Sequence, residues 1–239
     1  MRVAVISDVH GNRLALDAVL DDILRARCDL VLCLGDTVSG PLDPAGTAER
    51  LMELGCLTLA GNHDRWLVER DDSALDPVDR FARARLAPAH LDWLARLPAT
   101  AVLEDLFLCH GTPRSDCENW LDAWFYDRQT TLPSEDAVTR HAAGIAQPVM
   151  LCGHTHIARM VRLRDGRIVV NPGAVGVQTV HGAPDARYAI LEKRGSAWSV
   201  DFRTVPYDFH AAARMARDNG FEPWHDVLAF GWDGPEGLF

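Results

Sequence analysis

The stretch Ile6-Ser7-Asp8-Val9-His10-Gly11-Asn12 decides how the rest of the chain is read. The apolar run Val3-Ala4-Val5-Ile6 that leads into it has the length and branching of a buried β-strand. Asp8 and His10 are two residues apart, so at a strand end their side chains leave the same face. Four more segments repeat this arrangement. Leu30-Val31-Leu32-Cys33-Leu34 leads to Gly35-Asp36, and Leu57-Thr58-Leu59 to Gly61-Asn62-His63-Asp64. Leu106-Phe107-Leu108-Cys109 leads to His110-Gly111, and Val149-Met150-Leu151-Cys152 to Gly153-His154-Thr155-His156. Hard donors therefore collect at the carboxyl ends of core strands, where open α/β sheets build their sites.

Between these strands the hydrophobic period changes to that of helices. Asn12 to Ala26, with Leu14, Ala18, Leu20, Ile23 and Leu24, and Pro44 to Leu54 complete βα units. Asp64 to Arg70 and Asp76 to Leu97 read as further helices, with Pro88 suited to a first turn and Pro98 ending the last. Beyond Gly153 the pattern turns β-rich: Ile157 to Arg164, Arg167 to Val170, Arg187 to Glu192 and Ser196 to Val205 alternate. Asp165-Gly166 signals a hairpin. A second sheet packed on the first is expected, then one helix from about Phe209 to Asn219 and a tail containing Trp224, Phe230 and Trp232. The expected organisation is a single domain over residues 1–239. It carries a helical, aromatic-rich insert at about 112–147 and a C-terminal helix and tail at 207–239.

Asp8, His10 and His156 can fill the shell of one divalent metal, Asn62, His110 and His154 that of a second, with Asp36 bridging. Glycines 35, 61, 111 and 153 let the backbone come close to the ions. His63 is expected to be a proton donor rather than a ligand, with Asp64 fixing its orientation. Taken singly, a Gly-Asp or His-Gly pair is an ordinary turn and Gly-Asn-His-Asp a helix cap. Their joint order, each after a strand, carries the inference. Asn12 and Arg114 are the expected polar contacts to a substrate phosphate.

Composition narrows the partners. With 239 residues, 48% hydrophobic and 24% charged, the chain can bury a substantial core. Its formal net charge of -10 disfavours a long nucleic acid. The six cysteines show no Cys-x-x-Cys spacing and read as reduced thiols. No run approaches the ~20 apolar residues of a membrane span, and a strand starts too near Met1 for a signal peptide. The expectation is a cytoplasmic protein, with the aromatic tail hinting at a homodimer.

The motif set resembles that of the calcineurin-like metallophosphoesterase superfamily. Gly40-Pro41 and Asn171-Pro172-Gly173-Ala174-Val175-Gly176 are similar to its small bacterial phosphodiesterase branch. The resemblance runs over about Met1 to Leu191. It implies a four-layer α-β-β-α sandwich and a dinuclear centre of Mn, Fe, Ni, Co or Zn. It also implies hydrolysis of a phosphomonoester or phosphodiester by a metal-activated hydroxide. A small phosphodiester, nucleotide-derived, is the first expectation for the substrate. Trp120, Trp124, Phe125 and Tyr126 could stack a base, or could simply bury one helix face. A phosphomonoesterase or phosphoprotein phosphatase using the same centre, and a metal-stabilised interaction scaffold, are the alternatives. A scaffold would have no need of His63.

Overall fold

The computed structural model describes residues 1–124, 130–232 and 238. Strands β1 (Arg2–Ile6), β2 (Leu30–Cys33) and β3 (Leu57–Thr58) run parallel. They alternate with helices α1 (Arg13–Ala26) and α2 (Pro44–Leu54), and α3 (Asn62–Glu69), α4 (Pro77–Arg83) and α5 (Pro88–Leu94) follow. Next come β4 (Thr100–Leu103), β5 (Leu106–Cys109), the short pair β6 (Ala123–Trp124) and β7 (Thr130–Thr131), α6 (Glu135–His141) and β8 (Val149–Leu151). The chain continues through β9 (Arg159–Arg162), β10 (Ile168–Asn171), β11 (Ala186–Arg194), β12 (Ala197–Val205), α7 (Phe209–Asp218) and α8 (Glu222–Phe230).

Two mixed five-stranded sheets result, in the orders β12-β11-β1-β2-β3 and β4-β5-β8-β10-β9. Each has three parallel strands, and antiparallel partners complete it. Strand alternation makes the layers. Val3 and Val5 of β1 point into an apolar seam with Leu32, Leu34, Leu106, Leu108, Leu151 and Val170, which joins the two sheets. Ala4 and Ile6 point the other way, against Leu16, Val19 and Ile23 of α1. On the far side of the second sheet, Met150, Cys152 and Val169 pack with Trp120, Leu121 and Val138. The molecule is the four-layer α-β-β-α sandwich that the sequence resemblance implies. Among the described residues no helix is long and apolar enough to cross a membrane.

Two elements differ from the sequence expectation. The stretch at 112–147 is not chiefly helical: its described part holds the β6–β7 pair and one seven-residue helix, α6. Trp120 does sit in a core, but its indole N–H donates to the Val138 carbonyl at 3.0 Å, so packing on α6 occupies it. Phe125 and Tyr126 lie outside the described residues. The tail contains a second helix, α8, whose period is obscured by its clustered aromatics. Its Trp224 is buried against α7.

Leu32, fully buried between the sheets, and Leu24, 77% exposed on α1, give a direct test of where the stability resides. Leu32→Ala is expected to destabilise the protein by about 2–5 kcal/mol. Leu24→Ala should stay within about 0.5 kcal/mol. Urea midpoints at constant m-value report both.

Candidate metal centre

The loops that follow β1, β2, β3, β5 and β8 are laced together at one end of the two sheets. Asp8 N–H donates to Gly35 O at 3.0 Å and His10 N–H to Asp36 O at 3.0 Å. Gly153 N–H donates to His110 O at 2.6 Å, and His63 N–H donates to the Asp36 carboxylate at 3.0 Å. The backbone turns sharply to bring the side chains inward. Asp8, His10, Asp36, His154 and His156 all have φ between 48° and 69°, the left-handed region that non-glycine residues avoid. At Gly61 a Cβ would fall on the Asp36 carboxylate, so only glycine lets β3 end this close to it.

The side chains form two neighbouring donor groups, Asp8 with His10 and His156, and Asp36 with His110 and His154. Within each group the ligating atoms lie within 4.8 Å of one another. Asp36 reaches towards both, its Oδ2 being 3.1 Å from His110 Nε2 and 3.9 Å from His10 Nε2. One terminal atom of the Asn62 amide lies 3.3 Å from His110 Nε2 and 3.1 Å from His154 Nδ1. With the NH2 there, the amide serves the two imidazoles; with its oxygen there, it completes the shell of a cation. All seven sequence-expected ligands are thus brought together.

A divalent pair fits these residues on the chemistry of the donors. His10 Nδ1 donates to Ser39 O at 2.7 Å and His110 Nδ1 to Leu34 O at 2.8 Å. In the neutral rings this leaves the Nε2 lone pairs facing inward. His10 Nε2 then meets His156 Nε2 at 3.2 Å, and His110 Nε2 meets a carboxylate oxygen. Acceptors facing acceptors in a buried volume repel unless a proton or cation lies between them. Burial, with His156 beside it, lowers the His10 pKa to about 4, and burial with His110 beside it does the same for His154. Both rings are therefore neutral and can ligate at pH 7. Burial opposes charge on Asp36 too, but His110 and His63 outweigh it and hold the carboxyl well below its usual range.

His63 is set apart. Its Nδ1 lies 2.8 Å from the Asp79 carboxylate, which also accepts from Ser39 Oγ. Burial disfavours the charged imidazole, yet Asp36 and Asp79 together raise its pKa to about 9.

Three sequence expectations are corrected here. Asp64 does not orient His63. Neighbouring residues on a helix diverge by roughly 100°, and the Asp64 carboxylate accepts from Gly61 N–H, Thr37 N–H and Thr37 Oγ instead. It ties the β2 loop to the start of α3, and Asp79 of α4 takes the orienting role. Asn12 is not placed to meet a phosphate. It is buried, its Oδ1 caps α1 through Ala15 N–H, and its Nδ2 donates to Gly176 O and the Tyr207 hydroxyl. Arg114 is exposed and points to the Arg140 carbonyl of α6, away from the donor groups. Asp79 was missed because its segment has the look of an ordinary helix start with Asp76 as cap and Pro77 in the first turn. Only the tertiary packing of α4 brings it to His63.

The calcineurin-like phosphoesterase superfamily domain matches residues 1–195, and the chain belongs to that superfamily. An uncharacterized protein of Methanocaldococcus jannaschii is 26% identical over 250 residues, covering 93% of this chain and 94% of that protein. A metallophosphoesterase from Sphaerobacter thermophilus has a similar structure, with TM-score 0.78 and 29% identity over 97% of this chain and 99% of that one. A hypothetical protein from Pyrococcus horikoshii shares the fold at TM-score 0.81 and 18% identity, over 98% of this chain and 99% of that one.

Asp36, which reaches into both donor groups, is the residue whose loss should be felt at both ions. Asp36→Asn is expected to bring bound Mn²⁺ down from two ions per chain, measured by elemental analysis after gel filtration. The rise in Tm that Mn²⁺ gives the parent protein should shrink with it.

Proposed function

We propose that the chain is a dinuclear-metal phosphoesterase acting on small phosphodiesters, nucleotide-derived ones foremost. The observation that carries this reading is the pair of donor groups spanned by Asp36, with His63 held beside them by Asp79. Asp8, His10 and His156 would hold one ion and Asn62, His110 and His154 the other. When bound, the ions supply a water of lowered pKa and neutralise charge on the phosphate. His63 supplies the proton. Asp79 occupies Nδ1, so Nε2 is the nitrogen that can give a proton to the departing oxygen, and the two carboxylates keep the ring charged for that task. Asp64 acts at one remove, by fixing the Thr37 and Gly61 backbone on either side of Asp36.

The donor groups lie on a cavity of ≈ 390 Å³, lined also by Trp66, Asp76, Val177, Gln178, Thr179 and Leu238. This volume suits a small organic ligand. It supports a small ester over a phosphoprotein, whose chain needs an open groove. A scaffold that used its metals only for stability would have no use for a charged imidazole held at the cavity wall. The two sheets with their helices are taken as one catalytic unit over 1–239, and six free thiols suit a reducing cytoplasm.

Metal-stripped protein resupplied with Mn²⁺ should hydrolyse bis-p-nitrophenyl phosphate well above p-nitrophenyl phosphate. A monoester preference would make it a phosphatase, and no turnover with any divalent ion would overturn the enzyme reading. His63→Ala should lower kcat by about 10² to 10⁴ for diesters with poor leaving groups. The loss should be smaller for nitrophenyl esters, whose leaving oxygen needs no proton. Asp79→Asn should lower kcat in the same direction with KM little changed. It should add nothing to His63→Ala in the double variant, because it acts through the same imidazole.

A further inference from the structure

Thr155 stands between the donors His154 and His156 and is 1% exposed. Each of its polar atoms is engaged. Its N–H donates to Gly153 O at 2.8 Å, its carbonyl accepts from Thr179 Oγ at 2.9 Å, and its Oγ accepts from Asn171 Nδ2 at 3.1 Å. The hydroxyl proton goes to Asp122 Oδ2 at 3.0 Å. On either side His154 and His156 hold left-handed φ of 69° and 59°, a conformation that persists only where the surroundings enforce it. The two imidazoles belong to different donor groups, so a rotation of this one residue would displace a member of each.

Asp122 is the far anchor of this network. Its other oxygen, Oδ1, accepts from Arg159 Nη1 at 3.2 Å, and the same nitrogen donates to the Leu121 carbonyl. The carboxylate is 1% exposed; among the described residues the next most buried one paired with an arginine or lysine is Asp22, at 16%. Taking such a pair out of water is expensive, and apolar side chains of the same volume stabilise a core as well or better. What a carboxylate supplies there is direction, because it fixes the hydroxyl aimed at it with a charge-assisted bond. Both ends are held firmly. Leu121 and Trp120 pack with Val138, Met150 and Cys152, and Arg159 opens β9.

We infer that Asp122 is a positioning residue for both metal sites: it holds the Thr155 hydroxyl and, through it, the His154 and His156 imidazoles beside Asp36 and Asp8. The inference rests on the reading of the donor groups as a metal centre. It gives the stretch at 112–147 a part in that centre through one buried carboxylate rather than through its aromatic rings. The order of action is fixed by the bonds: Arg159 balances the charge of Asp122, Asp122 aims Thr155, and Thr155 sets the backbone from which both histidines project.

The test is calorimetric titration of metal-stripped protein with Mn²⁺, well below the Tm of every variant. Asp122→Asn and Thr155→Val should each weaken Mn²⁺ binding by about 10- to 100-fold. The double variant should be little weaker than either, because both changes cut the same bond. Thr155→Ser keeps the hydroxyl and should bind as the parent protein does. Ile23→Ala removes core packing where the end of α1 meets the start of β1, away from the donor loops, and should lower Tm with Mn²⁺ affinity unchanged. Thr155→Val keeps the test decisive if Asp122→Asn fails to fold. Parent-like affinity in folded Asp122→Asn or in Thr155→Val would overturn the inference, and so would equal weakening in Thr155→Ser or Ile23→Ala. Failure of the parent protein to bind Mn²⁺ would instead overturn the metal-centre reading on which it stands.

Discussion

Everything at the loop end of the two sheets depends on one electrostatic constraint: six imidazole and carboxylate side chains, five of them buried, crowd their polar atoms together at the floor of a cavity. Asp8 and Asp36 are held ionised there against the pull of burial, by His156 and His110 foremost. Burial weakens solvent screening of these groups, so protons or cations between them stabilise the arrangement. His110 and His63, which the carboxylates can charge, take up protons; His10 and His154, crowded by other imidazoles, stay neutral. The same charge distribution answers the net charge of -10. A negatively charged phosphate is drawn not to the protein as a whole but to a local centre whose sign its bound ions would reverse.

Holding that centre requires backbone that would not choose its own conformation. Five of the donor residues adopt left-handed φ, each a local strain of about 1–3 kcal/mol when measured against an ordinary turn. The strain is tolerated because the loops are fastened at both ends. The strands before them are buried on both faces, and the loops bond to one another through Gly35, Asp36 and His110 carbonyls. Val175 and Gly176 N–H donate to the Ser7 and Asp8 carbonyls, and Asn171 Nδ2 holds the Gly153 carbonyl. The Asn-Pro-Gly-Ala-Val-Gly segment is thus a brace under the first and last ligand loops.

The fold was legible because its signals are local. A run such as Val3-Ala4-Val5-Ile6 must be a strand whichever partner it finds, and the donors that follow it must then lie at a sheet end. That Asp8, His10, Asp36, Asn62, His110, His154 and His156 come together was legible for the same reason. What escaped was whatever depends on how helices pack on the sheets. Asp79 looks like any first-turn acid in α4. Asn12 and Arg114 misled because nearness in sequence to a ligand says nothing about direction. One became a helix cap and the other turned outward. At 112–147 the spacing of Trp120 and Trp124 fits a helix, yet Trp120 is buried from a loop, and among the described residues of this stretch only α6 is helical.

The exchange of Asp64 for Asp79 shows how far geometry outranks adjacency. Asp64 sits at the third position of α3, where its carboxylate is drawn to Gly61 N–H, as acids at helix starts are. That engagement, with the added bonds from Thr37, consumes its acceptor capacity, and burial beside Asp36 pushes its pKa up. A group so occupied cannot also stabilise an imidazolium. Asp79 can, because its own helix presents it from the opposite side of His63, with Ser39 donating to the same oxygen. Ser39 O in turn accepts from His10 Nδ1, so the bonds that hold His63 through Asp79 and those that hold His10 meet in one residue of the β2 loop. Displacing that loop would therefore disturb the His63 imidazole and the donor group around His10 together.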